Sequence, residues 1–566
     1  MTTSDVSSRN KLSPDHNGVH HRKPKPTASS MLDPSSDSVH VRKRDHVSVI
    51  SDEDRQEMGQ SSYSTDSKTV DDQKAQTLSA SDVPNFILLV ILYLLQGIPV
   101  GLSFGSIPFL LKAKMSYSEI AIFSLSSWPY SLKLLWSPIV DAIYWPELGR
   151  RKSWIIPIQI LTGLLFLALG WHIDAIMAED NINIYFITTL FLVTIFFCAT
   201  QDIAVDGWAL TLLSKDSLSY ASTAQTIGLN TGYFLSFTVF LALNSEEFSN
   251  KYLRSPENSS DVGVMPLGTY MIFWSLMYIV VTAWLLIVKT EKPTSTDEDL
   301  LGIRGVYTTI WKICKLPHMK SFVVILLVAK IGFICNEGVT ALKLLEKGFS
   351  KEDLALAALL DFPFQLFFGY YAAKWSTGPN PLRPWLYAFY GRLASAVLGM
   401  VVVYFYPEGQ DISMTYFCII MVSTILSSFM STVQFVSISA FMTSVADPLI
   451  GGTYMTLLNT FSNFGGTWPK FFVLEAVDKF TVATCSVLDS DGLEMVCKSE
   501  ASKLACQKLG GACVIQQDGY YYAGSLCVFL GVSLLVFYVK PAILRIQSIP
   551  RHMWRLKAAE DEKSSL

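Results

Sequence analysis

Long apolar stretches recur from residue 86 to residue 540, and they constrain the fold more than any other feature of the sequence. A helix needs about twenty apolar residues to cross the hydrocarbon core of a bilayer. Only 16% of the residues are charged, whereas soluble domains carry about 25%. We therefore predict an all-α polytopic membrane protein whose first partner is the lipid bilayer.

The stretches predict about twelve transmembrane helices in two groups of six. Their expected positions are 86–111, 118–140, 153–172, 184–213, 220–243, 266–288, 320–340, 352–374, 384–405, 412–443, 451–475 and 520–540. Gly and Pro recur within them, which in membranes allows close helix contact and local unwinding.

Polar segments set the expected domain boundaries. Residues 1–84 are polar and lack apolar periodicity, so we predict a disordered tail. No apolar core opens the chain, so the first hydrophobic helix is expected to direct membrane insertion. A polar linker over 290–319 separates six-helix halves at 85–289 and 320–540, and residues 541–566 form a second tail.

Basic residues cluster after the second, sixth and twelfth predicted helices. Loops rich in Lys and Arg face the cytosol, so this distribution predicts that both termini are cytosolic. These basic residues are Arg150, Arg151, Lys152, Lys289, Lys292, Arg304, Lys312, Lys315, Lys320, Arg545, Arg551 and Arg555. Asn258 begins an Asn-Ser-Ser glycosylation sequon on the opposite side. Lys112 and Lys114 also fall on that side, against the charge rule.

Four cysteines lie together in the polar segment 476–519, namely Cys485, Cys497, Cys506 and Cys513. Two disulfides in an oxidising lumen are one reading and a metal site is the other. The segment has no His and no CxxC pair, so we favour disulfides and expect no metal. The sequence leaves three pairings open.

Charged and polar groups inside the predicted helices are the candidate functional residues, because a charge at the bilayer centre costs about 3 kcal/mol. Cations for an anionic substrate are Lys133, Lys330 and Arg392, with Gln96, Gln201, Asn230, Tyr233 and Asn459 as further contacts. Candidate gating or coupling carboxylates are Asp202, Asp206 and Glu337, and Asp361 lies in the eighth helix. The alternative for these charges is a set of interhelical ion pairs that stabilise the packing.

Motifs for catalysis are absent from the sequence. The histidines lie in the tails or at span edges, and there is no HExxH, Walker or G-x-S-x-G motif. Intramembrane acyl transfer commonly needs a general base such as His, so a membrane-bound acetyltransferase is the less favoured class. Without a nucleotide-binding motif, transport is expected to be secondary, with no cofactor and no nucleic-acid partner.

The layout of six helices, a linker and six helices resembles the major facilitator superfamily, whose two halves rock around a central site. Its loop signature, an Asp followed by Gly-Arg-Arg-Lys, is matched in part by Asp141 and by Arg150 and Arg151 within Gly149-Arg150-Arg151-Lys152. Seven residues separate Asp141 from Gly149, where the usual pattern has two. The resemblance implies a gating role for these residues.

Six motifs go beyond a generic transporter, namely LQGIPVGL at 95–102, ATQDIAVDGWALT at 199–211, AKIGF at 329–333, DPLIGGTYMTLLNT at 447–460, KLGGAC at 508–513 and DGYY at 518–521. Together they resemble the acetyl-coenzyme A transporter family of the endoplasmic reticulum and Golgi membrane. The resemblance covers about 85–540, and the Gln-Asp-x-x-x-Asp pattern at 201–206 is also similar to bacterial muropeptide permeases.

That resemblance implies import of acetyl-CoA from the cytosol into the endoplasmic reticulum or Golgi lumen, where it serves acetylation of gangliosides, glycoproteins and protein lysines. Exchange against CoA is a reasonable driving force. Another anionic thiol compound, such as a glutathione species, is the alternative cargo. The oligomeric state, including a homodimer, is left open.

Overall fold

The computed structural model describes residues 79–554 apart from 180–181, 215–216, 218–219, 292–301, 377–379, 408–412, 447–450, 489–493 and 498–499. Most of the predicted tail 1–84, part of the linker 290–319, the Asp447–Ile450 portion of the DPLIGG motif and the end of the second tail lie outside the described residues. The described chain is almost entirely helical, as the apolar pattern predicts.

The first half contains six membrane segments. The first is Val83–Lys112 with a π-helical turn at Leu102–Ser106; the second comprises Tyr117–Ser124, Leu125–Ser127, Trp128–Leu132, Lys133–Leu135 and Ser137–Ala142; the third is Lys152–Ala178; the fourth is Ile184–Leu212; the fifth comprises Tyr220–Phe234, Leu235–Val239 and Phe240–Asn244; and the sixth is Leu267–Ile287. Short turns at Glu246–Phe248, Ser249–Leu253 and Pro256–Asn258 connect the last two.

The second half begins with a linker helix, Gly302–Lys315, and contains six more segments. The seventh comprises Pro317–Val328, Ile334–Gly338 and Thr340–Glu346; the eighth is Lys351–Trp375; the ninth is Leu382–Tyr404; the tenth is Met414–Val445; the eleventh is Gly451–Phe480; and the twelfth comprises Gly519–Leu534, Leu535–Val539 and Lys540–Gln547. A final turn spans Arg551–Trp554.

Eight of the helices in the described part are long and apolar enough to cross a membrane. The eighth and eleventh segments are continuous but richer in polar residues, and the second and seventh are interrupted. The spans expected at 118–140 and 320–340 therefore each consist of several helical pieces. In the second segment, Pro129 and Pro138 each open a new helical piece, because proline has no N–H to donate and clashes with the preceding turn.

The seventh segment breaks at residues 329–333, between two of its helical pieces. The indole Nε1 of Trp468 in the eleventh segment donates a 3.0 Å hydrogen bond to the carbonyl oxygen of Leu327 beside the break. Irregular backbone within a membrane is tolerated where a neighbour satisfies the freed polar groups. Lys330 therefore lies in the non-helical turn between two helical pieces of the seventh segment.

The bundle has two ends, which we name by what they carry. The terminal face holds the start of the first segment and the ends of the fourth and sixth, since Asn85 donates 3.0 Å to the Leu212 carbonyl and accepts from Lys289 at 2.5 Å. The cysteine-loop face holds the opposite ends, where Lys114 donates 2.9 Å to the Ala178 carbonyl.

Glycines bring segments into backbone contact within each half. A methyl group on Gly97 in the first segment would lie 2.8 Å from the Cα of Gly232 in the fifth. A methyl group on Gly332 in the seventh would lie 2.7 Å from the Cα of Gly531 in the twelfth. Small residues at such crossings are the usual means of tight helix packing in membranes.

A small domain follows the eleventh segment on the cysteine-loop face. Its strands β1 (Val482–Leu488), β2 (Glu494–Val496) and β3 (Cys513–Gln517) form an antiparallel sheet in the order β2-β1-β3, beside a helix at Glu500–Lys508. Disulfides join Cys485 to Cys506 and Cys497 to Cys513. This is one of the three pairings that the sequence left open, and it occupies all four thiols that the metal reading required.

Candidate functional site

Lys133 in the second segment lies between two carboxylates of the fourth. Its Nζ pairs with Asp202 and lies 3.6 Å from Asp206. Asp206 also accepts hydrogen bonds from the Tyr93 hydroxyl at 2.8 Å and the Gln225 amide at 2.9 Å. The four-residue spacing of the two carboxylates presents both on one helical face, and the structure brings together three candidates that the sequence placed in different roles.

Several polar atoms around this cluster are buried without a hydrogen-bond partner in the described part of the chain. They are both amide atoms of Gln96, the Nε2 atom of Gln201 and the Oδ1 atom of Asp202. An orphaned buried polar atom is costly unless water, ions or ligand satisfy it. The first and fourth segments therefore present unused donors and acceptors next to the lysine–carboxylate cluster.

Arg392 in the ninth segment is the centre of a second polar cluster. Its guanidinium pairs with Glu337 of the seventh segment, donates to the Gln434 amide oxygen of the tenth, and lies 3.6 Å from the centroid of the Phe333 ring. Arg392 is buried. Its planar fork suits this combination of a carboxylate, an amide and an aromatic face.

Lys330 of the seventh segment lies against Gly466 of the eleventh, and Lys470 of the eleventh lies against Gly338 of the seventh. A methyl group on Gly466 would lie 3.1 Å from Lys330 Cδ and 3.2 Å from its Nζ. A methyl group on Gly338 would lie 3.4 Å from Lys470 Cε. Neither lysine has an ion-pair partner among the described residues, whereas Lys133 and Arg392 do.

Lys470 is absent from the set that sequence reasoning selected. The signal was present, because Lys470 follows Pro469 inside the predicted span 451–475 and any charge there calls for an explanation. A 230 Å³ cavity lies between the first, second, seventh and eleventh segments, and Lys470, Glu337, Thr467, Ser103 and Ser126 are among its lining residues. The cavity thus lies between the two halves.

Polar contacts join the halves at the cysteine-loop face. The Tyr117 hydroxyl donates 2.7 Å to Glu346, which also accepts from Lys112 at 3.2 Å and Lys343 at 3.0 Å. Lys343 further pairs with Asp518 at 2.8 Å. Lys112 and Lys114, which run against the charge rule, are thus both held by acceptors.

The loop between the second and third segments forms its own network at the terminal face. Arg151 pairs with Asp141, and Arg150 donates 2.8 Å to the Asp141 carbonyl. Glu291 accepts from the Arg151 backbone N–H at 3.0 Å and the Lys152 backbone N–H at 3.0 Å. The separated loop signature therefore converges in space despite its longer spacing.

The remaining predicted contacts are more dispersed. Asn230 and Asn459 are exposed side chains, and Tyr233 is half-buried with its ring 5.8 Å from that of Phe237. Asn258 ends the Pro256–Asn258 turn and is exposed. These positions are accessible, and none of them belongs to the two ion-pair clusters.

Comparison with known proteins decides the family. A family model described as acetyl-coenzyme A transporter 1 matches residues 85–304, 294–383 and 379–556. The chain belongs to this acetyl-coenzyme A transporter family. An uncharacterised membrane protein of Saccharomyces cerevisiae is 44% identical, covering 85% of this chain and 99% of that one. An uncharacterised protein of Schizosaccharomyces pombe is 40% identical, covering 85% and 90%.

More distant relatives and solved structures agree with the fold. The anhydromuropeptide permease of Escherichia coli K12 is 28% identical over 29% of this chain and 32% of that one. A bacterial homologue of the human lysosomal transporter Spinster, inward-facing and unoccupied, gives a TM-score of 0.54 at 14% identity, covering 83% and 98%. A variant of the nucleoside transporter NupG gives 0.51 at 11%, covering 80% and 100%. The family member described here is a membrane transporter of the major facilitator type.

Proposed function

We propose that this chain carries acetyl-CoA from the cytosol into the lumen of the endoplasmic reticulum or Golgi, supplying acetyl groups for gangliosides, glycoproteins and luminal protein lysines. The observation that carries the proposal is the match to the acetyl-coenzyme A transporter 1 model, which extends over both halves of the bundle. The transported solute is the partner, and CoA is the expected exchange solute.

The charges between the helices support an anionic cargo. Acetyl-CoA bears several phosphate charges, and a binding site for it needs Lys or Arg groups. We assign Lys330 and Arg392 to contact with the phosphates. Lys133 is assigned a phosphate contact that competes with its ion pairs to Asp202 and Asp206. Gln96, Gln201, Asn230, Tyr233 and Asn459 are assigned hydrogen bonds to the rest of the cargo.

Alternating access is the proposed mechanism, and the contacts between halves support it. Tyr117 and Lys112 of the first half contact Glu346 of the second at the cysteine-loop face. We assign substrate entry to the terminal face, which the proposed orientation makes cytosolic. Rocking of the halves exchanges these contacts for contacts at the terminal face, where Asp141, Arg150 and Arg151 are assigned to the gate.

A muropeptide-like solute is the second candidate, because the Escherichia coli relative is an anhydromuropeptide permease. That likeness covers 29% of this chain, whereas the acetyl-coenzyme A family model extends over residues 85–556. Acetyl-CoA is therefore the better supported cargo.

Uptake of labelled acetyl-CoA into proteoliposomes tests the proposal. We expect uptake that unlabelled acetyl-CoA and CoA inhibit, and that Lys330→Gln and Arg392→Gln weaken by raising the apparent KM. Lys479→Gln is the matched control, because Lys479 is exposed and its ion-pair partner among the described residues is Glu475, one helical turn away. Stronger competition by glutathione disulfide or a muropeptide than by CoA contradicts the cargo. Acetylated product formed by purified protein without vesicles supports an acetyltransferase instead.

A further inference from the structure

Two serines at the wall of the 230 Å³ cavity have hydroxyl groups without a hydrogen-bond partner in the described chain. Ser103 of the first segment and Ser126 of the second are among the lining residues, and both hydroxyl oxygens are buried. The two residues are 3% and 1% exposed. Buried polar groups in native proteins are almost always paired, and rotation about the Cα–Cβ bond can turn a serine hydroxyl, so both are available to a polar group in the cavity.

The charged residues that line the cavity in the described chain are Lys470 and Glu337. Glu337 pairs with Arg392 of the ninth segment, so its charge is already compensated. Lys330 lies against Gly466, another lining residue. Lys470 lies at the cavity wall, opposite the first half, with no ion-pair partner in the described residues. A buried charge needs a counter-ion or strong hydrogen bonds.

We propose that Lys470, with the Ser103 and Ser126 hydroxyls, forms a subsite for a phosphate or diphosphate group of the cargo. The proposal rests on the proposed function and adds the residue and the substrate group that this part of the site binds. A phosphate oxygen accepts from ammonium and hydroxyl donors alike, and such charge-assisted bonds are the strong ones.

The cavity is smaller than a pocket for a whole drug-sized ligand. Pockets that enclose such ligands measure about 300–1,000 Å³, whereas this cavity measures 230 Å³. The part of the cargo that we assign to it is therefore a small anionic group. The lining comes from the first, second, seventh and eleventh segments, so an anion here contacts both halves and its binding is coupled to their movement.

Lys470 packs against Gly338 of the seventh segment. The Cγ and Cε carbons of its stem both lie 3.4 Å from where a methyl group on Gly338 would stand, which is ordinary van der Waals contact. Lys330 packs more tightly against Gly466 of the eleventh segment, with its Cδ 3.1 Å and its Nζ 3.2 Å from the corresponding position. Both lysines thus lie at the contact between the seventh and eleventh segments.

Equilibrium binding of inorganic pyrophosphate to the purified full chain in nanodiscs tests the subsite. Loss of one charge-assisted contact is expected to raise the pyrophosphate Kd roughly ten- to hundredfold in Lys470→Gln. Lys470→Arg is expected to bind closer to wild type. Lys479→Gln, on the same helix but exposed, is expected to leave the Kd unchanged.

Serine variants keep the test decisive where Lys470→Gln does not fold. Ser126→Ala and Ser103→Ala remove one hydroxyl each and are expected to raise the pyrophosphate Kd by a smaller factor. An unchanged Kd in Lys470→Gln, or in both serine variants, overturns the subsite. Tighter binding of citrate than of pyrophosphate overturns the phosphate assignment.

Acetyl-CoA uptake measured on the same preparations separates this inference from the proposed function. Lys470-dependent pyrophosphate binding without acetyl-CoA uptake supports the subsite and overturns the cargo. Uptake with a pyrophosphate Kd that does not depend on Lys470 supports the cargo and overturns the subsite.

Discussion

Tyr117, at the start of the second segment, donates a 2.7 Å hydrogen bond to the carboxylate of Glu346, at the end of the seventh. The bond crosses from one half of the transporter to the other at the cysteine-loop face. Lys112 reaches the same carboxylate at 3.2 Å. Nearby, the Ser118 hydroxyl donates 2.9 Å to Asp478 of the eleventh segment. Together these contacts join the two halves at that end of the bundle.

A cross-link at this junction is expected to stop transport. In the double variant Ser118→Cys with Asp478→Cys, the two sulfurs replace groups that are 2.9 Å apart, so oxidation is expected to join the halves. Alternating access requires these helix ends to separate. Cross-linked protein is therefore expected to lose nearly all acetyl-CoA uptake into proteoliposomes.

The single variants Ser118→Cys and Asp478→Cys, oxidised in the same way, are the controls and are expected to transport. The native disulfides are present in all three preparations, so only the introduced pair differs. Full uptake by quantitatively cross-linked protein contradicts the proposed movement.

Asp202 is expected to matter more for stability than Asp206, although both contact Lys133. Asp202 is fully buried, whereas the Asp206 side chain is 39% exposed and also accepts from Tyr93 and Gln225. Removing one member of a buried ion pair costs about 3–5 kcal/mol because the other charge is left uncompensated. Asp202→Asn leaves Lys133 with the more distant Asp206 and is expected to cost part of that energy. Asp206→Asn is expected to cost less, as measured by thermal unfolding in detergent.

The double variant Lys133→Gln with Asp202→Asn checks the cause. Removing both charges leaves Asp206, which is 39% exposed and keeps its hydrogen bonds from Tyr93 and Gln225. The double variant is therefore expected to be more stable than Asp202→Asn alone. If the loss of stability in the double variant equals the sum of the losses in Lys133→Gln and Asp202→Asn, the two residues do not couple. The ion-pair explanation is then wrong.

The sequence predicts the membrane bundle well because hydrocarbon imposes length and polarity on every helix. It does not predict which charges meet, since that depends on helix rotation and tilt. Lys133 and Asp202 are 69 residues apart, and no local pattern joins them. Lys470 was visible as a charge in an apolar span, but its position at a cavity wall opposite Ser103 and Ser126 of the other half depends on tertiary packing.

The interruption of the second segment has a local cause in the sequence, whereas that of the seventh does not. In the second segment, Pro129 and Pro138 lack the N–H group that a continuous helix needs. The break at 329–333 carries no proline, and its stabilising partner, Trp468, is far away in sequence. Tertiary contacts of this kind leave no periodic signal.

Adjacent glycines of the eleventh segment are expected to respond differently to the same change. A methyl group on Gly465 meets the Leu326 carbonyl oxygen and lies 3.0 Å from the Leu327 Cα, both backbone atoms of the seventh segment. A methyl group on Gly466 instead meets Lys330 Cδ at 3.1 Å and Nζ at 3.2 Å, and these side-chain atoms can move. Overpacking against backbone costs about 1–3 kcal/mol or more.

Gly465→Ala is therefore expected to lower the unfolding temperature. Gly466→Ala is expected to fold normally while raising the apparent KM for acetyl-CoA, because Lys330 is displaced. Thermal unfolding and proteoliposome uptake, measured on both variants, check this contrast. Equal destabilisation by the two changes contradicts the packing argument.

Glycosylation at Asn258 is the expected sign that the cysteine-loop face is luminal. Asn258 is exposed at the end of a short turn between the fifth and sixth segments, and an Asn-x-Ser sequon is modified only on the luminal side. In eukaryotic cells, wild type is expected to show a gel shift that N-glycosidase removes. Ser260→Ala breaks the sequon and is expected to abolish the shift, whereas Ser259→Ala retains it. An unglycosylated wild type, or a shift that survives Ser260→Ala, contradicts the proposed orientation.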